Sequence, residues 1–117
     1  MPITEILAGN AERCGDKICL TEIHPELEEK YAQTWKEFAL VETEPGPCCR
    51  KELTWRSFDS QANQLANLLL KLGVKRGGKV GLLLMNCIEW LPVFFGVLKS
   101  GAVVVPLNFR YSAEEIK

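Results

Sequence analysis

Chemistry-bearing residues are scarce in this chain. His24 is the only histidine among 117 residues, and it stands before a proline in an acidic connection with no partner close in sequence. A single imidazole excludes the paired-histidine zinc helix, and no G-x-S-x-G turn offers a nucleophile. Cys14, Cys19, Cys48, Cys49 and Cys87 form no C-x-x-C pair and share no metal-ligand spacing with His24. The sequence alone therefore assigns no catalytic residue and no metal ligand. An odd number of cysteines, behind a start (MPITEILAGN) that lacks a basic-then-apolar leader, reads as reduced thiols in a cytoplasmic protein. Adjacent Cys48 and Cys49 read as two loop thiols, with a reactive pair as the alternative.

Long apolar runs are missing too. A bilayer span needs roughly 20 continuous apolar residues, and Glu89, Pro92, Lys99 and Gly101 interrupt the most apolar stretch first. The net charge is −1, so no global field argues for nucleic acid or an anionic membrane. Residues 1–50 hold ten acids against five bases, and residues 51–117 nine bases against five acids. Such an asymmetry more often marks solvated faces than a binding polarity.

What is present is organised around KVGLLLMNCIEWLPVFFGVLKSGAVVVPLNFR, residues 79–110. Two apolar runs, 80–85 and 103–107, have the length of strands buried on both faces, and the segment between them reads as a helix. The unit is β-α-β, with parallel strands and a right-handed crossover. Asn86 is positioned to cap the helix with Glu89 three residues on, and Gly101 suits its end. Pro92 is tolerable if the first turn begins near residues 88–89, where its missing N–H would be unpaired in any case.

Upstream, Thr4 is expected to cap a helix over 5–13 that stops at Gly15, and 17–23 alternates as a strand with one buried face. Residues 33–44 alternate without showing which side is buried, the run 44–47 (EPGP) is a turn, and 50–54 is a short strand able to pair back as a hairpin. Thr54 caps the clearest helix, 55–72. Its stripe of Trp55, Phe58, Ala62, Leu65, Ala66, Leu69 and Leu72 falls three or four apart, and Gly73 ends it with Val74 folding back. At the other end of the chain, Ser112 and two acids begin a further helix at 112–117 that stops after one turn, so the chain is expected to be the first part of something longer.

Gly73 to Lys79 matches G-x-x-x-x-G-K, but the loop runs from helix to strand and is followed by Val80 instead of Ser or Thr. A phosphate loop needs the reverse order and a hydroxyl for magnesium. Asn86, Asn108 and Arg110 are better placed, at the carboxyl ends of the two apolar strands where ligands of parallel sheets gather. Helix-cap and turn roles compete for all three.

Residues 53–117 resemble the N-terminal subdomain of the AMP-forming acyl-CoA synthetases, the adenylate-forming enzymes. The matching features are the Thr-Trp entry to a helix carrying A-N-x-L-A-N-x-L, the turn G-V-x-x-G-x-x-V, N-x-x-E-W, the helix end G-V-L-K-x-G-A, and V-P-L-N. Residues 1–52 match less well, with 27–49 longer and more acidic than the family suggests. The resemblance implies an α/β fold, an incomplete N-terminal subdomain. Its βαβ core (80–85 and 103–107) lies in residues 53–117, and the N-terminal helix and hairpin-like edge in 1–52.

It further implies that the complete protein is a ligase of fatty acid metabolism. Such an enzyme uses ATP and Mg2+ to activate a fatty or aryl acid as its adenylate, then transfers the acyl group to coenzyme A. The family's phosphate loop, nucleotide residues and catalytic lysine come after the part present here, so this chain alone is expected to be inactive and to bind none of these cofactors tightly. By the same likeness Asn108, Phe109 and Arg110 are the candidates for a place near coenzyme A. Two readings compete with the ligase: a non-catalytic interaction or oligomerisation module, and an independent nucleotide-binding domain. Strands that want cover on both faces lead to a further expectation, self-association.

Overall fold

The structure, a computed structural model, describes residues 1–23 and 50–116. The expectations for 24–49, including His24, the strand at 33–44, the turn at 44–47 and Cys48 with Cys49, lie outside the described residues.

Helix α1 spans Ile3–Cys14 and begins behind Pro2, not Thr4. Proline fixes its own φ, here −65°, and its carbonyl accepts the Glu5 N–H at 3.0 Å, so the helix starts two residues earlier than a Thr4 cap would place it. Gly15 follows with φ −49°; its use is spatial, since a Cβ there would fall 2.5 Å from the Ala11 carbonyl oxygen and 2.7 Å from the Arg56 guanidinium. Strands β1 (Ile18–Ile23) and β2 (Arg50–Thr54) pair antiparallel, with Glu22 opposite Lys51 and an irregularity at Cys19. The hairpin-like edge is thus made with β1. Along β1 the burial does not alternate cleanly, because that irregularity shifts the side-chain parity.

Helix α2, Trp55–Lys71, starts where its cap predicts: Thr54 Oγ1 accepts the Ser57 N–H at 3.2 Å. The Trp55 and Arg56 amides donate to the carbonyls of Lys17 and Gly15, which tie the helix start to the α1–β1 turn. At the other end Gly73 has φ +86°, its N–H reaches Leu70 O, and Val74 N–H reaches Leu69 O, each at 3.0 Å. Those two bonds are a Schellman motif, in which only glycine takes the left-handed position without strain. Of the expected apolar stripe, Phe58, Ala62 and Ala66 are buried, but Leu72 is 71% exposed, because the chain reverses there and leaves the helix end uncovered.

Strand β3 (Lys79–Leu82) and strand β4 (Val103–Pro106) pair in parallel, Lys79 with Val103 through Leu82 with Pro106. The β-α-β unit is therefore real, with shorter strands than the apolar runs suggest. Leu83, Leu84 and Met85 continue the run without pairing and are exposed. The strands are not buried on both faces either: Val103 is half exposed, and Lys79, Gly81 and Pro106 are exposed as well.

Helix α3, Trp90–Lys99, links them. Asn86 does not cap it. The Trp90 N–H bonds the Cys87 carbonyl in a preceding turn, and the first i to i−4 bond runs from Val93 to Glu89. Pro92 thereby occupies the third helical position, where an N–H would have had no intrahelical partner, so the proline sets the helix start. Gly101, at φ +80°, ends it as expected.

The core joins the pieces. Leu7, Phe58 and Ala62 form its centre, with Leu20, Leu53, Leu91 and Phe95 packed around them. Helices α2 and α3 meet closely, since a Cβ on Gly96 would stand 2.8 Å from Leu65 Cβ and 3.0 Å from the Ala62 carbonyl oxygen. Across this seam Lys99 Nζ bonds Asp59 and Asn63, and the Lys99 and Asp59 side chains are largely buried.

Candidate functional site

Strands β3 and β4 direct two segments, 83–89 and 107–112, out of the same sheet end. The pairing extends one bond further, from Leu107 N–H to Leu82 O at 2.9 Å, before the chains diverge. On one side Asn86, Cys87 and Ile88 face Leu20, Glu22 and Ile23 of β1 across a depression of about 380 Å3. Two polar contacts hold this side together. The Ile88 amide donates to Glu22 Oε2 at 3.2 Å, and Lys51 Nζ meets Glu89 Oε1 at 2.8 Å. The β1–β2 ribbon is thus stitched to the chain just before α3.

Those contacts also set the local electrostatics. The hydrogen bond from Lys51 holds the Glu89 carboxyl below its usual range, and the same bond to Glu89 raises Lys51. Partial burial pushes the Cys87 thiol up, so it is not an activated thiolate. Cys14, Cys19 and Cys87 are all free, and the Cys19 thiol, also raised by burial, donates to Leu53 O.

On the other side, Asn108, Phe109 and Arg110 share one exposed turn. Asn108 Oδ1 accepts the Arg110 N–H at 3.0 Å, Asn108 O accepts the Tyr111 N–H at 3.0 Å, and the Arg110 guanidinium lies 5.6 Å from the Phe109 ring centroid. Asn108 therefore builds the turn that displays the other two. Beyond it Glu115 closes a small cap, accepting from the Ser112 amide and hydroxyl, and these bonds lower its carboxyl. Asn86 lines the depression instead of joining this turn.

A second cavity, also about 380 Å3, is almost wholly apolar and lies between α1, β1 and the starts of α2 and α3, lined by Ile6, Leu7, Leu20, Trp55, Leu91 and Phe95 among others. The Gly73–Lys79 loop is closed to a phosphate: Gly77 and Gly78 amides are spent on Gly101 O and Lys75 O, each at 2.8 Å. Among the described residues no group of three or more His, Cys, Asp or Glu could hold a metal ion, and no helix is long and apolar enough to cross a membrane. Sequence reasoning missed the Glu22–Ile88 and Lys51–Glu89 stitches. Their partners are 66 and 38 positions apart, and only the opposed register of Glu22 and Lys51 would have hinted that both side chains point to one place.

The sequence model of the AMP-binding enzymes matches residues 10–117. The chain belongs to the AMP-binding enzyme family. Among curated relatives, a medium/long-chain-fatty-acid–CoA/3-oxocholest-4-en-26-oate–CoA ligase of Mycobacterium marinum is 40% identical over 70 residues, 60% of this chain and 13% of its own length. The chain therefore spans about an eighth of that relative. Among solved structures, the N-terminal domain of FACL13 from Mycobacterium tuberculosis superposes with a TM-score of 0.69 at 25% identity, over 97% of this chain and 23% of that one. The anthranilate CoA ligase AuaEII, in complex with anthranoyl-AMP, superposes with a TM-score of 0.70 at 28% identity, over 99% and 18%. Those superpositions show that this chain shares its fold with the matched portions of these proteins.

Proposed function

We propose that these residues form the N-terminal portion of an ATP-dependent carboxylic acid–CoA ligase, which makes an acyl-adenylate and then a coenzyme A thioester of a fatty or aryl acid. The observation that carries this reading is the family match across residues 10–117, and the relatives' names supply the substrate class. A non-catalytic module has no comparable observation in its favour. ATP and Mg2+ are assigned to residues other than those described, and this chain supplies scaffold. The test is acid-dependent ATP–pyrophosphate exchange and thioester formation by the product of the whole reading frame. Exchange with a fatty or aryl acid is expected; a product that folds, binds ATP and exchanges with no acid would refute the reading.

Within that function, the 108–110 turn is proposed to lie near coenzyme A. Support comes from its place at the carboxyl end of β4, its exposure, and a guanidinium already set over an aromatic ring. Phe109 would stack on the adenine and Arg110 would pair with a phosphate. In the active whole-frame product, Arg110→Ala and Phe109→Ala should each raise KM for coenzyme A several-fold and leave ATP–pyrophosphate exchange intact. Unchanged KM in both would remove the turn from the site.

Self-association of the isolated chain is also proposed, because Leu83, Met85 and Val103 are each at least half exposed. Sedimentation velocity across a dilution series should show a concentration-dependent shift; a monomer at every concentration would end the proposal.

A further inference from the structure

The net charge of −1 conceals a local excess. Residues 60–88 contain no Asp or Glu, and Lys71, Lys75, Arg76 and Lys79 fall within nine positions of one another. At the same end of α2, Leu68 is 51% and Leu70 53% exposed, beside the exposed Leu72. Leu68, Lys71 and Leu72 stand at i, i+3 and i+4, so they share a stripe beside the face that Ala62 and Ala66 bury. Neither cavity described above includes any of these residues.

The reversal carrying the remaining cations is held firmly. Beyond the Schellman bonds, Gly77 N–H donates to Gly101 O at 2.8 Å and Val103 N–H to Gly78 O at 2.7 Å. The stem of Arg76 lies against Gly101, where an added Cβ would stand 3.4 Å from its Cγ. Lys79 is opposite half-exposed Val103 in the parallel register. Cations and leucines are thus fixed together at the amino-terminal end of the sheet. The α2 dipole accounts for one lysine at its carboxyl end; it does not account for four cations, or for leucines left in water beside them.

We propose that this end of the domain docks on an anionic lipid surface, with Leu68 and Leu72 entering the headgroup boundary and Lys71, Lys75, Arg76 and Lys79 meeting lipid phosphates. Apolar side chains flanked by cations are what such a surface retains. Leucines on a helix end, outside any described cavity, suit a deformable interface better than a folded partner, which would need a complementary patch. Docked so, the opposite sheet end with the 108–110 turn faces away from the lipid. The inference does not depend on the ligase reading.

Flotation of the 117-residue chain with vesicles tests it, because self-associated protein stays at the bottom of the gradient. The chain should float with mixed phosphatidylcholine–phosphatidylserine vesicles at low salt, stay down with pure phosphatidylcholine, and be released as salt is raised. Each cation near such a surface contributes about fivefold to partitioning, so Lys75→Glu with Arg76→Glu should lower it by about 25-fold or more. Leu68→Ser with Leu72→Ser should lower it about tenfold. All four positions are exposed, and unchanged far-ultraviolet circular dichroism would show that both variants keep their helices. Equal flotation with neutral vesicles, no flotation with anionic ones, or undiminished flotation of both folded variants would overturn the proposal. Salt-sensitive binding to polyglutamate without flotation would overturn it in favour of an acidic protein partner.

Discussion

The seam between α2 and α3 and the carboxyl end of the β3–β4 pair lie in the same unit and obey different rules. In the seam, Ala62 is fully buried, Val97 is 1% exposed, and Gly96 leaves no room for a methyl. Volume decides what may stand there. At the strand ends, Leu83, Met85, Phe109 and Tyr111 are exposed, and local turns fix their backbone more than packing does. Substitutions in the seam should therefore register in stability, and those at the strand ends in binding and association. The family's likeness is carried by both, which is why a fold can be recognised with little said about its chemistry.

The strongest way to break that contrast is Phe58→Ala. Phe58 is 4% exposed, joins Leu7 and Ala62 at the centre of the core, and meets Phe95 edge-on at 5.3 Å. Its truncation should cost about 3–5 kcal/mol, read as a fall in the urea midpoint by tryptophan fluorescence. A loss no larger than that of Leu84→Ala, expected within about 0.5 kcal/mol of zero, would erase the distinction between the regions.

Gly96→Ala comes next, and it sets two magnitudes against each other. Glycine to alanine inside a helix ordinarily gains about 1 kcal/mol in propensity. Here the new methyl meets Leu65 Cβ at 2.8 Å and backbone Ala62 O at 3.0 Å, and the helices must separate. Overpacking of that kind costs about 1–3 kcal/mol, so a small net loss is expected. A gain in stability would mean that the seam opens freely.

Thr54→Ala should be milder, about 1 kcal/mol, with Thr54→Ser nearly restoring the wild type. This cap also shows what the sequence made legible. Thr54 and Gly73 are local signals, each acting within one turn, and the structure follows both, while the 55–72 stripe is followed as far as Ala66 and fails at exposed Leu72. The parallel pair was legible for a similar reason: two apolar runs flanking a helical one leave few alternatives. Where pairing stops was not legible, because 80–85 is uniformly apolar and only a neighbouring strand ends the ladder at Leu82. Asn86 misled as a cap because Pro92, six residues on, dictates the helix start more strictly than a side-chain hydrogen bond can. The Glu22–Ile88 stitch joins residues with no local relation, so no periodicity could reveal it.

The Lys51–Glu89 pair carries the smallest expected effect and the sharpest sign. Its side chains are 56% and 50% exposed, so solvent screens much of the attraction. Glu89 is held below its usual carboxyl range, chiefly by the hydrogen bond from Lys51. The folded form thus binds its proton less readily than the unfolded chain. The pair therefore adds stability above the ordinary carboxyl range and loses it as pH falls through the lowered value. Lys51 is raised by the same bond, so its contribution is present below the ordinary lysine range and disappears as pH climbs through the raised value. Between those limits the ribbon stays fastened to the chain before α3. Thermal melts of wild type and Glu89→Gln should differ slightly at neutral pH and converge in acid, and added salt should shrink the neutral difference. A difference that persists unchanged in acid would mean that Glu89 acts by packing, and the strand-end segment would then obey the same rule as the seam.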